Sequence, residues 1–415
     1  MIIFSLPLIF FVKTRRIVER LALRLPPVPS KRGSIWIHAL SVGEVVSALP
    51  LVKALNQKYP SKDIVFTVKT AQGMKIARDE LEGEVKALLP MPLDFWWSIR
   101  RIVNHISPSL FILIETDIWP GLINHLKKRG IKTVLVNGRI SPRTFRSYRR
   151  FPFLIRSMLS PIELCLMQSD LDTKRLSQIG IGSDKLKTVG NIKFDRDWAP
   201  MDEKEYQHWL DVLNLEIENN IWIAGSTHEG EEEIILDVFG KLRPSYPMSR
   251  LIIVPRRIER TEEIHSLSES KGFRTVLKTD LAVKRETYDV LVFNTIGELD
   301  RLYGISNISF VGGSLVPEGG HNLLEPASFG LPVLYGPHTE DFALMGEALI
   351  EAGGGKRVKD GEDLFETMKA LLSDPERSKG MGRRAKEFVE MNRGAVGRVV
   401  KHIGVYIDGK KNAAA

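Results

Sequence analysis

Ile35-Trp36-Ile37-His38-Ala39-Leu40-Ser41-Val42-Gly43-Glu44 joins an apolar run to a helical pattern through a short polar turn. This reads as the first strand, turn and helix of a β/α unit. Such turns lie at the carboxyl ends of parallel strands, where ligands bind. Glu44 is thereby placed at the mouth of a sheet near the positive end of a helix. It is expected to stay ionised at neutral pH and to act as a general base. The competing reading is an S-x-x-E capping box made by Ser41 and Glu44. A second carboxylate, Glu115 in Glu115-Thr116-Asp117-Ile118-Trp119-Pro120, also follows a strand and precedes a helix. A helix-start acid would look the same. Arg139, Arg143, Arg146, Arg149 and Arg150 fall between Asn137 and Arg150 with no acid among them. The cluster suits phosphate or carboxylate groups, which arginine grips in bidentate fashion; a solvated basic face is the alternative.

Two turns in the second half complete the set. In Ala224-Gly225-Ser226-Thr227-His228-Glu229-Gly230-Glu231, small residues lead from a strand into a helix, an anion site by geometry. Gly312-Gly313-Ser314 is followed by Gly319-Gly320-His321-Asn322-Leu323-Leu324-Glu325-Pro326. Glycines let the backbone approach a ligand, and Glu325 near a helix start can accept hydrogen bonds from ribose hydroxyls. Either turn alone would be an ordinary turn and cap. Together, in matching places of one domain, they read as a nucleotide pocket. No G-x-G-x-x-G follows a strand and no G-x-x-x-x-G-K-[ST] occurs, against a nicotinamide dehydrogenase or a P-loop enzyme. His and Cys show no metal-ligand spacing. Asp170-Leu171-Asp172 opens a helical pattern, where paired acids favour the helix dipole.

These residues need a scaffold of alternating strands and helices. Strands are expected at Asp63–Val68, Val85–Leu89, Ser109–Ile114, Lys132–Val136 and Glu163–Met167, with helices such as Asp94–Ile106, Trp119–Arg129 and Asp170–Ile179 between them. The alternation predicts a doubly wound parallel sheet. A largely polar stretch, Met201 to Asn220, intervenes. A second series follows, with strands at Ile221–Ala224, Leu251–Val254, Val290–Phe293, Ile308–Val311 and Pro332–Leu334, and amphipathic helices near Pro375–Asn392 and Gly394–Tyr406. The expected fold class is therefore α/β, with two Rossmann-like domains facing across a cleft. The expected boundaries are a membrane-associating segment 1–25, a first domain 26–200 and a second domain 201–415. The terminal helices are free to pack back on the first domain.

Composition sets the outer bounds. The 415 residues are 43% hydrophobic, enough for full cores, and the net charge of +8 points to anionic partners. Neither a recognition-helix motif nor aromatics interleaved with the basic residues favours nucleic acid. Cys165, in the apolar run Leu164-Cys165-Leu166-Met167, is a buried strand residue, and one cysteine excludes an internal disulfide. Ile2 to Val12 is apolar apart from Ser5 and Pro7, and Lys13, Arg15, Arg16, Arg20 and Arg24 follow. Eleven residues are too few to span a bilayer as a helix, which takes about 20. An apolar tip in one leaflet with a basic collar on anionic head groups fits the pattern; a buried terminal helix is the alternative.

The order of motifs resembles a family. His38-Ala39-x-Ser41-Val42-Gly43-Glu44, the Glu115–Pro120 segment, Gly190-Asn191-Ile192-Lys193-Phe194-Asp195, Ser226-Thr227-His228-Glu229-Gly230-Glu231, Pro255-Arg256, Gly297-Glu298-Leu299 and Gly313-Ser314 through His321–Pro326 look like the bacterial Kdo transferases, Kdo being 3-deoxy-D-manno-octulosonic acid. The resemblance implies an inverting, metal-independent GT-B glycosyltransferase moving Kdo from CMP-Kdo to the lipid A precursor. It implies no cofactor, and work at the cytoplasmic face of the inner membrane. Carried over, Glu44 matches the general base, and Glu115 and Lys193 match residues that assist the transition state. Pro255, Arg256, Gly297, Glu298, Leu299, Asn322, Leu323, Leu324 and Glu325 match CMP-binding positions. Ser226, Thr227, Gly313, Ser314 and His321 join them in the nucleotide pocket. Ser41, Arg139, Arg143 and Arg146 suit the anionic sugar and the phosphorylated acceptor. Four positions depart from the family pattern: Asp117 stands for Glu, Gly121 for Asn, Arg257 for His and Asn294 for Asp. Two other readings fit the same residues, a UDP-sugar transferase or epimerase and a membrane-docked nucleotide-binding regulator.

Overall fold

The computed structural model describes residues 15–23, 25, 33–196, 198, 201–282, 287–340 and 342–408. The chain divides into two compact units, residues 1–197 with 392–415, and residues 198–391.

The first unit is built on a seven-stranded parallel sheet. Its strands are β1 (Ser34–Ala39), β2 (Ile64–Val68), β3 (Ala87–Pro90), β4 (Pro108–Ile114), β5 (Lys132–Gly138), β6 (Leu164–Met167) and β7 (Leu186–Thr188), in the order β3-β2-β1-β4-β5-β6-β7. Every residue of β1 is buried, as expected for a strand covered on both faces. Alternation splits it: Ile35 and Ile37 enter one apolar cluster and Trp36 the other. The strand order reverses between β1 and β4, so ligands are expected at their carboxyl ends. The helix Val42–Lys58 leaves β1 there, and Glu115 follows β4.

The second unit repeats the plan with β8 (Asn220–Thr227), β9 (Ser249–Pro255), β10 (Thr275–Leu277), β11 (Val290–Val292), β12 (Ile308–Val311), β13 (Val333–Tyr335) and β14 (Gly355–Arg357). The order is β10-β11-β9-β8-β12-β13-β14, all parallel, with the reversal between β8 and β12. Both glycine-bearing turns of the sequence lie at that reversal.

Some details differ from the sequence reading, while one point that it left open is decided: the helix Ala395–Ile407 packs back and belongs to the first unit. Its stripe of Ala395, Val396, Val399, Val400, Ile403 and Ile407 joins the core of Ile35, Val52 and Ile112. Asp195 holds its start, accepting hydrogen bonds from the Gly394 and Val396 N–H groups. The strands β7, β10 and β14 were not anticipated; each spans three residues, too few for a periodic signal. The polar stretch 201–220 contains a helix, Glu203–Val212, started by Asp202 accepting from Glu205 N–H.

The amino-terminal reading is corrected in part. Ile2 to Val12, Lys13 and Arg24 lie outside the described residues. Arg20, assigned to a basic collar, instead donates from Nε to the Met91 carbonyl at 3.0 Å, and its own carbonyl accepts from Leu93 N–H and Ser98 Oγ. Leu21 and Ala22 are buried. Residues 20–22 are therefore part of the first unit's fabric, because their backbone and apolar groups find partners beyond β3. Among the described residues, no helix is long and apolar enough to cross a membrane.

Candidate functional site

In the first unit, burial decides the chemistry of Glu44. Its side chain folds back, and Oε2 accepts from Leu40 N–H at 2.5 Å. Ser41, the N-cap residue, makes no side-chain bond to the helix. The capping box is thus half formed and displaced by one residue. Glu44 is only 7% exposed. Burial raises its pKa to about 8 against the Leu40 hydrogen bond, and the Glu115 and Asp117 carboxylates raise it further while Lys193 lowers it. Burial thus works against the ionised carboxylate that the sequence leads one to expect, placing the Glu44 pKa well above the ordinary carboxylate range. Desolvation outweighs the helix dipole, which is worth about 0.3–1 kcal/mol when exposed.

Glu115 sits at the end of β4 in the left-handed region, with φ +57°. Its Oε1 lies 3.0 Å from Lys193 Nζ, an ion pair without hydrogen-bond alignment. Lys193 rides on a short 3-10 turn, Ile192–Asp195, clamped at both ends. Asn137, buried at φ +61°, accepts from Ile192 N–H at 3.1 Å, and Asp195 holds the helix Ala395–Ile407. A non-glycine residue in this region signals strain that the surroundings sustain, and two of them meet here. Glu44, Glu115 and Lys193, separated by up to 149 positions, are thus brought to one place.

Asp117, His38 and Lys69 complete the charged floor and were not among the site residues expected from sequence. Trp119 Nε1 donates to Asp117 at 2.8 Å, His38 Nε2 lies 3.5 Å away and Lys69 Nζ 3.8 Å. Burial opposes the Asp117 charge, yet the neighbouring His38 ring, the Trp119 hydrogen bond and the Lys69 ammonium outweigh it and lower its pKa. Burial keeps His38 below its ordinary value, and its Nδ1 meets Thr67 at 3.0 Å. A histidine ending the apolar run of β1 was the available signal. Gly121 has a local reason: a Cβ there would press on the Asp94 carboxylate, which accepts from Gly121 and Leu122 N–H.

The arginines are spread out. Arg139 lies beside the Glu115 turn, its carbonyl 3.3 Å from Thr116 Oγ1. Arg143 and Arg146 are exposed on the helix Pro142–Arg150, which has no buried residue. Asp172 accepts from Ile140 N–H at 2.8 Å and from Ser169 Oγ, so its carboxylate is a local brace at a helix start. Among the described residues, no three His, Cys, Asp or Glu side chains are grouped to hold a metal.

In the second unit, the anion nest expected from the turns is occupied by the protein itself. Glu231, fully buried, accepts from the N–H groups of Gly313 at 2.6 Å, Ser314 at 2.9 Å and Leu315 at 2.8 Å, and from His228 N–H at 3.0 Å. One carboxylate thereby ties the turn after β8 to the turn after β12. Ser314 is fully buried; its hydroxyl donates to the Val311 carbonyl and accepts from Gly336 N–H. Gly313 and Ser314, expected to touch CMP, have their N–H groups engaged in this brace. Leu323 and Leu324 have fully buried side chains, which leaves only their backbone for a ligand. Thr227 is also buried, and its carbonyl accepts from Arg256 N–H at 2.9 Å.

The remaining residues stand around that brace. Ser226 takes φ +59° near the end of β8, where the register with β9 shifts, and Gly297 takes +92° in the turn after β11. Pro255 is buried at the end of β9, and Arg256 beyond it is exposed. Glu298 lies 3.3 Å from Lys278 and bonds Thr295, and Leu299 starts a helix. Asn294, another departure, exchanges hydrogen bonds with Thr279. Asn322 Oδ1 accepts from Leu324 N–H at 3.2 Å, and Glu325 follows, half-buried. His321 stacks on His228 with ring centroids 5.1 Å apart and Nε2 atoms 2.8 Å apart. Burial, the Arg256 charge and His228 push His321 down to about 4. Glu231 and His228 were missed as site residues; their signal was a polar pair in the first turn after a glycine-bearing strand end.

The family model for 3-deoxy-D-manno-octulosonic-acid transferase (kdotransferase) matches residues 15–196. A 3-deoxy-D-manno-octulosonic acid transferase of Haemophilus influenzae is 36% identical, over 96% of this chain and 93% of its own. One from Chlamydia pneumoniae is 30% identical, over 96% and 91%. The structure of UDP-GlcNAc 2-epimerase from Neisseria meningitidis, bound to UDP-GlcNAc, is similar in fold. It has a TM-score of 0.62 and 16% identity, covering 89% of this chain and 99% of that one. Two Rossmann-like units and 30–36% identity over nearly the whole chain to transferases of one kind lead to one assignment: the chain belongs to the 3-deoxy-D-manno-octulosonic acid transferase family of glycosyltransferases.

Proposed function

We propose that this chain transfers Kdo from CMP-Kdo to the lipid A precursor, with inversion and without a metal, at the cytoplasmic face of the inner membrane. The observation that carries the reading is Glu44, a buried carboxyl of raised pKa beside Glu115 and Lys193, in a chain of this family. Once ionised, such a carboxyl is a stronger base than an exposed one. It takes the proton of the acceptor hydroxyl as that oxygen bonds the sugar carbon on the face opposite departing CMP. Glu115 and Lys193 offset charge developing on the sugar. Arg256 balances the leaving phosphate, a monophosphate that side-chain cations can stabilise. Ser41, Arg139, Arg143 and Arg146 serve the acceptor's anionic groups. Incubating the protein with CMP-Kdo and lipid A precursor, with and without EDTA, and reading product masses tests all of this. An added Kdo mass in both samples is expected; transfer only from a UDP-sugar would overturn the donor, and EDTA inhibition the metal-free step.

The donor assignment has its own test. Losing a charge-assisted hydrogen bond costs about 1.5–3 kcal/mol, so R256A and E325A should each weaken CMP binding roughly ten- to a hundredfold. Calorimetry giving wild-type affinity for both variants would remove the second unit as the donor site.

Membrane attachment is assigned to Ile2–Val12 together with the basic residues up to Arg16, since Arg20 is engaged in the first unit. Each basic side chain near an anionic surface adds about 1 kcal/mol, screened by salt, and apolar insertion supplies the rest. A chain beginning at Arg15 should keep its fold and CMP binding yet sediment poorly with anionic vesicles. Undiminished sedimentation would move the anchor to the exposed arginines 143–150. Unfolding of the shortened chain would make the segment core.

A further inference from the structure

Glu231 changes what the donor site must contain. The N–H groups of His228, Gly313, Ser314 and Leu315, the natural cradle for a phosphate, are consumed by its buried carboxylate. A nucleotide monophosphate brought to these strand ends meets an extra negative charge beneath the turn rather than free donors. Arg256 supplies one positive charge against a dianion. A second cation is wanted, and the side chains best placed to provide it are His228 and His321.

Their geometry restricts how. At 2.8 Å the two Nε2 atoms hold one proton between them: two would clash, and none would leave lone pairs opposed. Gly313 lies under both rings, where a Cβ would meet His321 at 3.1 Å and His228 at 3.4 Å, so the glycine admits the stack. Further charge must enter at an Nδ1. His228 Nδ1 has a carboxylate partner in Glu318, whose Oε2 lies 3.8 Å away, whereas the Arg256 charge opposes a proton on His321. The charged groups facing the pair are thus Glu318, Arg256 and, below the turn, Glu231.

We infer that His228 and His321 form a dyad that takes up one proton, at His228 Nδ1, when a nucleotide monophosphate binds beside Arg256. The dyad then carries the second positive charge at the phosphate of the departing nucleotide, which becomes a dianion as its bond to the sugar breaks. This rests on the second unit being the donor site.

The test is calorimetric titration of the full chain with CMP at neutral pH in two buffers of different ionisation enthalpy, which gives protons taken up per CMP. Any proton shift of CMP itself is common to all samples. Wild type should take up more protons than H228N or H321N, by a fraction approaching one. Both variants should bind CMP about tenfold more weakly near neutral pH, a loss that shrinks as pH rises and proton uptake by the wild-type dyad is suppressed. H228Q, which retains an amide donor, guards against a variant that folds poorly. Equal proton uptake in wild type and folded variants overturns the inference even if affinity falls, since that is the result of a purely structural stack. Absence of CMP binding to wild type would instead overturn the donor-site reading.

Discussion

Glu44→Gln is expected to lower Kdo transfer by about 10²–10⁴-fold, the usual contribution of a general base, while CMP binding by the second unit is unchanged. The amide oxygen can still accept from Leu40 N–H, so the turn is preserved; what is lost is the ability to take a proton. The pH dependence identifies the group. Glu44 must lose its proton to act, so transfer by wild type should rise with pH and level off above about 8. Stability should move the other way. The folded-state pKa lies above the ordinary value of 4.5, so between that value and about 8 the folded chain keeps a proton that the unfolded chain has released. Folding stability therefore falls as pH rises through this window and is level above it. The neutral amide has no such loss. E44Q should melt at a higher temperature than wild type at pH 8, with the difference vanishing toward pH 4. Near-wild-type turnover by E44Q, or a variant less stable than wild type at pH 8, would reduce Glu44 to a turn-holding residue.

Glu231→Ala should be the most damaging single change to the second unit. It strips four backbone N–H groups of their acceptor. Each buried donor left unpaired costs about 1–3 kcal/mol, so a loss on the order of several kcal/mol is expected even with some water entry. That is a large part of a domain's stability, roughly 5–15 kcal/mol. Thermal melting should show an early transition in E231A, and CMP binding should be lost with it. E231Q keeps one acceptor oxygen but turns an NH₂ group toward N–H groups, so it should fall between the two. A melting curve for E231A indistinguishable from wild type would mean that the nest is not held by this carboxylate.

Arg20, Glu44 and Glu231 mark where local reading stops. From its neighbours, Arg20 is one of a basic series; its carbonyl partner, Met91, is 71 residues away. Glu44 reads as a helix-start acid, and its ionisation depends on burial together with Glu115, Asp117 and Lys193 from other turns. Glu231 reads as one acid among three opening a helix, yet its partners at 313–315 lie beyond the next four strands. None of these contacts leaves a periodic or capping trace.

What the sequence determined by itself was everything set by neighbours a few residues apart. Alternating apolar runs and helical periods specify two parallel-sheet units, and the turns at Ser41–Glu44, Glu115–Pro120, Ser226–Glu231 and Gly312–Ser314 specify strand ends able to bind ligands. The ordered motifs carried the family. The tertiary structure alone decided that burial raises the Glu44 pKa and that the glycine-rich nest is filled from within. It alone stacked two histidines 93 residues apart and gave the last helix to the first unit. The reason is physical. Pattern and capping are short-range properties of the chain, whereas pKa, satisfaction of buried N–H groups and helix docking depend on solvent exclusion and on partners that meet only when the sheets are assembled.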